Sequence, residues 1–470
     1  MDGESELPAG WAWATLQDVA RWGSGGTPKA KEPAYYGGGI PWAVIGDLND
    51  SVLTRTTQTI TEDGLENSSA RWVPAGSVLV AMYGASIGKL ALAEKSVTTN
   101  QAIAHAVPYR DVTCRKYLFW YLLSQRAELI RAGKGGAQPN ISQAVLKSWP
   151  IAVPPVPEQH RIIEALEEQL SRIESGAATL RLARKRLEGL RKRFLVSLVP
   201  EELPATWKMT TVEEAGTLEL GRARHPDWHY GPEMRPYLRV ANVFEDRIDT
   251  SDVMKMDFSG VWGKYRLETG DVLLNEGQSP HLVGRPALYR GVPKDVAFTN
   301  SLLRFKAGDG VLPEWALLVF RRHLHAKRFM REVRITTNIA HLSAKRLKKV
   351  EFPVPPLEEQ ERLVQRCEEV LSGIAAMEHQ VVSGLKRADA LRTALLKRAF
   401  TGMLVAQQPG EEPASAFLSR IAAERAAQPK PKRTRKATAR MPAPRAAEAT
   451  APAPEPTPAP TLAVQQEIEL

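Results

Sequence analysis

One stretch of this chain occurs twice, and the repeat limits the folds that the whole sequence can adopt. A Pro-Pro-x-x-Glu-Gln motif stands at 154–159 and again at 355–360, so the two copies are offset by 355 − 154 = 201 residues. A long segment with helical spacing of its apolar residues follows each copy. A sequence that repeats at half its ordered length usually describes two similar units. We therefore expect two domains built on one framework, each followed by a long helix.

The segment after each motif is predicted to be a helix of the coiled-coil type. Apolar residues recur at alternating steps of three and four, from Ile163 to Phe194 and again from Val364 to Leu395, which is the period of a narrow helical seam. Separate packing on the two domains and pairing in a homodimer are the alternatives. Equal length and a shared register favour pairing within one chain. Closure about a pseudo-two-fold axis makes that pair antiparallel.

The repeat also predicts where the domains begin and end. Residues 1–152 are expected to form a first domain and 203–354 a second domain, with spacer helices at 153–202 and 355–404. Each domain mixes short apolar runs, which predict strands, with the segments 115–131 and 313–331, which predict helices. The expected fold class is therefore α+β, with two similar domains separated by an antiparallel coiled coil.

Residues 405–470 differ in composition from the rest of the chain. Proline and alanine dominate, and a basic run stands at 429–436. Such a stretch cannot bury enough apolar surface to offset its conformational entropy. We therefore expect a disordered tail rich in Pro, Ala and Lys.

Short matching motifs occur in the same order in both domains. The matched pairs are 40–42 with 235–237, 76–80 with 270–274, 88–92 with 284–288, and 99–101 with 299–301. The residues between these motifs differ almost completely. This pattern is expected when one scaffold presents two different recognition surfaces on its loops.

Composition and charge limit the class of binding partner and the cellular compartment expected for this chain. The 470 residues carry a net charge of +10 with a pI near 9.5, which favours a polyanionic partner. The apolar runs are too short to cross a bilayer, so no membrane contact is expected. Two cysteines are too few for a disulfide framework or a thiolate metal site. The N-terminus is acidic and unlike a signal peptide, which predicts a cytoplasmic location.

No motif predicts catalysis. The glycine-rich stretch 84–90 is one residue short of a P-loop and has Leu90 where a magnesium-binding hydroxyl belongs. His225, His229 and His281 are scattered and have no counterparts in the first domain, so no metal site is expected. A recognition subunit is favoured. The alternatives are a self-contained DNA methyltransferase or nuclease with an unrecognised active site, and a pure scaffold protein.

Taken together, these motifs resemble those of a known family. The duplicated layout, the two Pro-Pro-x-x-Glu-Gln motifs, a Ser-Gly-Gly-Thr-Pro stretch at 24–28 and the helix ending at 395–404 are similar to the specificity (S) subunit of Type I restriction–modification systems. The resemblance covers about residues 7–404. It is weakest at 221–224, where Gly-Arg-Ala-Arg replaces the Gly-Gly-Thr-Pro of the first domain.

The resemblance implies a function without catalysis on this chain. Each target-recognition domain would read one half of a gapped, bipartite double-stranded DNA sequence. The two helices would set the gap and dock two methyltransferase (M) subunits, and motor/nuclease (R) subunits would join the complex. No cofactor is expected on this chain, because S-adenosylmethionine would be bound by the methyltransferase partner.

Polar and basic side chains on the loops are the predicted DNA contacts, since sequence readout needs donors and acceptors that reach base edges. A solvated loop side chain is the alternative for each of them. The candidates in the first domain are Lys29, Lys31, Tyr83, Ser86, Lys89, Lys134, Gln138 and Asn140. The candidates in the second domain are Arg222, Arg224, His225, Asn275, Gln278, Ser279, His281, Arg285, Asn338 and His341.

Overall fold

The computed structural model describes residues 7–133, 139–336 and 339–427. The chain divides into two units, residues 1–418 and 419–470. The first unit holds two α+β domains and two long helices. Among the described residues, no helix combines the length and apolar character needed to cross a membrane.

Domain 1 precedes the first long helix. Its strands are β1 (Ala12–Thr15), β2 (Ala20–Ser24), β3 (Tyr36–Ala43), β4 (Ser51–Leu53), β5 (Gln58–Ile60), β6 (Trp72–Val73), β7 (Val78–Ala81), β8 (Leu90–Ala93), β9 (Val97–Thr99), β10 (Ile103–Pro108) and β11 (Pro150–Val153). Its helices are α1 (Leu16–Val19), α2 (Glu62–Glu66), α3 (Arg115–Ser124), α4 (Arg126–Ala132) and α5 (Gln143–Lys147). The long helix α6 (Val156–Ser197) follows.

Domain 2 lies between the two long helices in sequence. Its strands are β12 (Lys208–Thr211), β13 (Gly216–Leu220), β14 (Met234–Leu238), β15 (Val243–Phe244), β16 (Arg247–Ile248), β17 (Met254–Asp257), β18 (Val272–Asn275), β19 (Gly277–Gln278), β20 (Pro286–Leu288), β21 (Ala297–Phe298), β22 (Leu302–Ala307), β23 (Arg334–Thr336), β24 (Ile339–His341) and β25 (Glu351–Val354). Its helices are α7 (Val212–Ala215), α8 (Trp262–Tyr265), α9 (Pro313–His325) and α10 (Ala344–Leu347). The second long helix is α11 (Leu357–Phe400), and α12 (Ala414–Ala427) follows it.

The two domains share one framework. The main sheet of domain 1 has the strand order β2-β10-β7-β8-β4, and that of domain 2 has the order β13-β22-β18-β20. A second sheet contains a parallel pair in each domain, β3 with β9 and β14 with β21. The first and last strands of each domain also pair, β1 with β11 and β12 with β25. The prediction of two similar α+β domains is therefore confirmed.

The glutamine that ends each Pro-Pro-x-x-Glu-Gln motif is buried and joins a domain to its long helix. The side chain of Gln159 accepts a hydrogen bond from the backbone nitrogen of Cys114 at 3.0 Å. Gln360 accepts one from the backbone nitrogen of Leu312 at 2.9 Å. Cys114 and Leu312 are the N-cap residues of α3 and α9, whose first amides have no partner within their own helix. The repeated motif therefore fixes the start of each long helix against the main helix of its domain.

The glutamate before that glutamine has an equally specific partner in each copy. The indole nitrogen of Trp11 donates to Glu158 at 3.1 Å, and that of Trp207 donates to Glu359 at 2.9 Å. Both tryptophans lie just ahead of the first strand of their domain. The first and last segments of each domain are thus held together at the base of a long helix.

The two long helices, 42 and 44 residues in length, pack in antiparallel orientation, since Ile173 and Leu391 line one groove between them and Leu190 and Met377 line another. At Gly384 of α11 an added Cβ would lie 2.9 Å from a methyl carbon of Leu180 of α6, so the helices touch closely at this level. Leu195 near the end of α6 and Cys367 near the start of α11 belong to one core cluster with domain 2. The ring of Phe400, at the end of α11, packs against Tyr117 of domain 1 at 5.3 Å. Each domain therefore sits at one end of the helix pair, as predicted.

Part of the predicted seam is not buried between the helices. Ile163, Leu166 and Ala177 of α6 are buried as expected. Leu190 is 43% exposed and Leu391 is 53% exposed, although both fit the heptad pattern. These two leucines are separated by 391 − 190 = 201 residues, so they occupy matching positions on the two helices.

The two predicted helices within the domains are shorter than expected. The segment 115–131 divides into α3 and α4 at Gln125. The segment 313–331 contains α9, which ends at His325, and a separate 3-10 turn at Arg328–Arg331. Lys327 between them has a left-handed backbone with a φ of 56°, which an α-helix cannot accommodate.

Residues 411–417, which the prediction placed in a disordered tail, make specific contacts with the rest of the first unit. Within the first unit, Glu411 forms an ion pair with Arg161 at 2.5 Å, and the backbone nitrogen of Ala414 donates to the oxygen of Gly10 at 2.8 Å. Ala414 and Phe417 are buried. Composition alone gave no sign of this segment, because a few anchoring residues are enough to order a chain that lies on an existing surface.

Candidate nucleic-acid interface

A glycine-rich turn of domain 1 brings four of the predicted DNA contacts together. Tyr83 forms a β-bridge with Asn140, so the turn after β7 lies beside the segment before α5. The backbone nitrogen of Lys89 donates to the oxygen of Ser86 at 2.9 Å and closes the turn. Tyr83, Lys89 and Asn140 are exposed, and Ser86 is half-buried. The left-handed backbone of Gly88, with a φ of 77°, explains why this turn is rich in glycine.

The Ser-Gly-Gly-Thr-Pro stretch of domain 1 anchors a second exposed loop. The backbone of Gly26 donates to Thr99 at 2.9 Å and accepts from the indole of Trp42 at 3.1 Å. A Cβ added at Gly26 would lie 2.2 Å from the backbone of Ser69, so only glycine fits there. Lys29 and Lys31 follow this anchor and are exposed. They place two positive charges on a loop whose base is fixed, which suits contacts to phosphates.

The equivalent turn of domain 2, between β18 and β20, is built in the same way. The backbone nitrogen of Gly284 donates to the oxygen of Asn275 at 2.9 Å, as Gly88 does to Ala81 at 3.0 Å in domain 1. The backbone nitrogen of Arg285 donates to the backbone oxygen of Leu282 at 3.1 Å. The frame of the turn is therefore repeated, while the side chains that it carries are not.

Two side chains that were predicted as DNA contacts, Asn275 and Arg285, instead hold this turn against the backbone of Val243. Asn275 is fully buried, and its amide nitrogen lies 3.5 Å from the backbone oxygen of Val243. The guanidinium of Arg285 donates to the same oxygen at 2.6 Å and lies over the ring of Phe244 at 4.6 Å. Burial lowers the pKa of Arg285. Because both side chains point inward, we remove them from the DNA contact set.

Other side chains of the same turn are at least partly exposed. Gln278 lies on β19, which pairs with β24, so it stands beside the segment that ends at His341. Gln278 and Ser279 are half-buried, and His281 is exposed. His341 is also exposed, and its imidazole lies 3.2 Å from the carboxylate of Glu276. These four side chains form the counterpart of the Tyr83, Ser86, Lys89 and Asn140 group in domain 1.

Arg222 is the clearest correction to the predicted contacts. It occupies the place of a glycine in the first domain and is only 9% exposed. Its guanidinium lies over the ring of Trp228 at 4.1 Å and donates to the backbone oxygen of Asp257. A side chain held in this way supports the loop and cannot reach a base edge, so we remove Arg222 from the DNA contact set.

The loop that follows Arg222 is exposed and basic. Arg224 and His225 are both exposed, and the imidazole of His225 accepts a hydrogen bond from the backbone nitrogen of Asp227 at 3.3 Å. Tyr230 on the same loop is 88% exposed, which the sequence reasoning missed. Two aromatic residues, Trp228 and Tyr230, lie between Pro226 and Gly231, and the sequence alone does not show that the ring of Trp228 covers Arg222 while that of Tyr230 is exposed.

Three predicted contacts, Lys134, Gln138 and Asn338, lie outside the described residues.

An ionic network around the buried Arg321 fixes domain 2 to the long helix behind the recognition turn. The carboxylate of Glu245 accepts from Arg321 at 2.9 Å and from His325 at 3.0 Å, and lies 3.9 Å from Arg191 of α6. Burial alone would raise the pKa of Glu245, but the hydrogen bond from His325 and the charges of Arg321 and Arg191 lower it to about 2. The network therefore links α6 and α9 to each other through Glu245, which lies just before β16.

No group of three or more His, Cys, Asp or Glu side chains that could hold a metal ion occurs in the described ranges.

Comparison with known proteins places this geometry in a family. The family model for the Type I restriction modification DNA specificity domain matches residues 8–179 and 204–387. The specificity subunit of the Type I restriction enzyme EcoKI from Escherichia coli K12 is 24% identical over 90% of this chain and 97% of its own length. That of StySPI from Salmonella potsdam is 25% identical over 90% of this chain and 96% of its own length.

Solved structures agree on the fold. A chain from a structure of complex assembly and conformational transition of the type I R-M system aligns with a TM-score of 0.68 at 19% identity, over 85% of this chain and 99% of that one. The HsdS subunit from Thermoanaerobacter tengcongensis aligns with a TM-score of 0.53 at 18% identity, over 86% and 99%. With the family model matched twice, on two domains of one framework, this chain belongs to the non-catalytic DNA specificity subunits of Type I restriction–modification systems.

Proposed function

We propose that each domain of this specificity subunit reads one half of a gapped, bipartite sequence in double-stranded DNA. The observation that carries the proposal is the matched pair of recognition turns. Each is built on the same backbone hydrogen bonds, and each presents different side chains, with Tyr83 and Lys89 in one domain and Gln278 and His281 in the other. Two different surfaces on one repeated scaffold suit two different half-sites.

The side chains divide into two classes of contact. Lys29, Lys31, Lys89 and Arg224 are exposed and cationic, and we assign them to the phosphate backbone. Ser86, Asn140, Gln278, Ser279, His281 and His341 carry donors and acceptors at the surface of the turns, and we assign them to base edges. The amide oxygen of Gln278 already accepts a hydrogen bond from the backbone nitrogen of Ser279 at 3.0 Å, so we assign its amide nitrogen as a donor to a base edge.

The helix pair is proposed to set the gap between the half-sites. Helices of 42 and 44 residues are about 63–66 Å long at ~1.5 Å per residue. One helical turn of DNA is about 34–36 Å. Two domains at the ends of such a pair therefore face DNA segments one to two turns apart, and the length of the pair decides how many base pairs lie between them.

The helix pair also carries two surface grooves that are related by the 201-residue repeat. Groove 1 is lined by residues that include Ile173, Leu180, Ala388 and Leu391, and groove 2 by residues that include Leu187, Leu190, Met377 and Val381. Adding 201 to Leu180 gives Val381, and adding 201 to Leu190 gives Leu391. Repeated grooves support two copies of one partner. We propose that these partners are two methyltransferase subunits, which carry S-adenosylmethionine and the chemistry, with motor/nuclease subunits completing the complex.

The proposal is tested by mapping methylated sequences in cells that express the complex with single variants. Gln278→Ala in domain 2 is expected to relax one half-site and leave the other unchanged. Ser86→Ala in domain 1 is expected to affect only the opposite half-site. A target that proves to be one continuous sequence, or a variant that alters both half-sites equally, would contradict the assignment of one domain to one half.

A further inference from the structure

A short segment joins the two sheets of each domain, and it begins with the same Thr-Asn pair in both copies. In domain 1 this segment is residues 99–102, from the last residue of β9 to the start of β10. In domain 2 it is residues 299–301, between β21 and β22. We call them connector 1 and connector 2. The threonine of each connector is fully buried, so the repeated pair stands at a fixed junction of the framework.

The recognition turn of each domain is hydrogen-bonded to its connector. At the start of the turn in domain 1, the backbone nitrogen of Met82 donates to the backbone oxygen of Ala102 at 2.9 Å. At the start of the turn in domain 2, the backbone nitrogen of Glu276 donates to that of Ser301, also at 2.9 Å. Both turns therefore begin at a fixed distance from the connector.

The same two turn residues also hold the segment that precedes α5 or α10. The backbone oxygen of the domain 1 residue accepts from the backbone nitrogen of Ile141 at 2.9 Å, and that of the domain 2 residue accepts from Leu342 at 2.8 Å. Asn140 and His341, which we assign to base edges, directly precede these two residues. A chain of backbone hydrogen bonds thus runs from each connector through the turn to a second base-reading segment.

The loop that carries the cationic contacts of each domain is bonded to the same connector. In domain 1 the backbone nitrogen of Gly26 donates to the oxygen of Thr99 at 2.9 Å. In domain 2 the backbone nitrogen of Asn300 donates to the oxygen of Arg222 at 3.0 Å. Each connector is therefore the common base of the cationic loop and the recognition turn, although these two elements are far apart in sequence.

The two connectors differ in length and in how their hydroxyl groups are bonded. From its threonine to the next strand, connector 1 spans 103 − 99 = 4 residues and connector 2 spans 302 − 299 = 3, so Gln101 has no counterpart. The buried hydroxyl of Thr99 has no hydrogen-bond partner among the described residues. The hydroxyl of Thr299 lies 3.2 Å from that of Ser301, which accepts from the backbone nitrogen of Val240 at 3.1 Å. The loop and the turn are therefore tied together differently in the two domains.

We propose that each connector sets the position of the cationic loop relative to the recognition turn and thereby decides which bases its domain accepts. This inference rests on the proposed function, in which one domain reads one half-site. Base readout requires donor–acceptor distances of about 2.7–3.2 Å, so a displacement of about 1 Å at the base of the turn breaks a contact. Thr299 and Ser301 are thus positioning residues, which act on specificity through the elements that they hold.

The first test removes one hydroxyl from connector 2. Ser301→Ala breaks the hydrogen bond from Val240 and the contact with Thr299, and Ser301→Thr keeps a hydroxyl at the same place. Methylated sequences are mapped in cells that express the complex with each variant. We expect Ser301→Ala to lower discrimination roughly tenfold at the bases of the half-site read by domain 2. The other half-site should keep its sequence, and Ser301→Thr should restore wild-type discrimination.

The second test changes the length of connector 1. Deleting Gln101 gives it the length of connector 2, and we expect a changed base preference in the half-site read by domain 1 alone. Gln101→Ala is the matched control, because the side chain is exposed and the connector keeps its length. Thermal unfolding of the purified chains shows whether each variant is folded. Ser301→Ala carries the test by itself if the deletion unfolds domain 1.

The outcomes separate this inference from the function on which it rests. A residue with only a structural role lowers the amount of methylation and leaves the methylated sequence unchanged. If the folded variants behave in that way, or if Ser301→Thr is as altered as Ser301→Ala, the inference is overturned and the proposed function stands. If the wild-type complex methylates one continuous sequence, or if a connector variant changes both half-sites equally, the proposed function itself fails.

Discussion

The buried glutamine at the base of each long helix offers a direct test of how the domains are held to the spacer. In domain 2, Gln360 accepts from the backbone nitrogen of Leu312 at 2.9 Å and donates to the backbone oxygens of Gly310 and Pro355, both at 2.8 Å. Gln360→Met keeps the length of the side chain and removes all three hydrogen bonds. Each buried backbone group that loses its partner costs roughly 1 kcal/mol or more. The expected loss in the free energy of unfolding is therefore about 3 kcal/mol.

The assay combines urea unfolding of the full chain, followed by far-UV circular dichroism, with hydrogen exchange of the first turn of α9. Gln360→Met should lower the midpoint and speed exchange of that turn. Gln365→Met on the same helix is the control, because Gln365 is exposed and a surface substitution costs less than about 0.5 kcal/mol. If Gln360→Met were as stable as the control, the glutamine would not be the joint between domain and helix.

Three further predictions follow from individual contacts. The pKa of Glu245 is lowered from 4.5 to about 2 in the folded chain. The ionised carboxylate therefore stabilises the fold above pH 4.5, and this stabilisation is lost as the pH falls towards 2. Glu245→Gln should flatten the acid limb of a profile of unfolding free energy against pH. Lys89→Ala should weaken DNA binding on all sequences alike and reduce the slope of log affinity against log salt by about 0.9 in titrations at several salt concentrations. Glu411→Gln should remove the ion pair with Arg161 and speed hydrogen exchange in 402–417 without changing the methylated sequence.

The sequence predicted the framework well because the framework is what the repeat preserves. The Gln159 and Gln360 motifs, the heptad spacing and the matched glycines all report backbone requirements that hold in both copies. The antiparallel arrangement followed from symmetry, and it agrees with the grooves, since Ile173 shares one with Leu391 and Leu190 shares the other with Met377. A repeated sequence therefore carries information about packing that a single copy would not.

The orientation of side chains on the turns could not be predicted in the same way. Arginine and asparagine are common DNA contacts, which is why Arg222, Asn275 and Arg285 were predicted. In the structure, their side chains contact backbone oxygens or aromatic rings instead. Whether an arginine points inward depends on long-range neighbours, such as Trp228 above Arg222. The exposed positions of Leu190 and Leu391 were missed for a related reason, since an apolar residue in heptad spacing predicts burial whether or not the partner surface belongs to the same chain.

The central claim is that the helix pair sets the distance between the two half-sites. The most direct measurement is the methylated sequence produced after seven residues are deleted from α6 and the seven facing residues from α11. A heptad is about 10.5 Å long at ~1.5 Å per residue, which corresponds to about three base pairs of DNA at ~3.4 Å each. We predict that the gap shortens by about three base pairs while both half-sites keep their sequences. An unchanged gap, or altered half-sites, would contradict the claim.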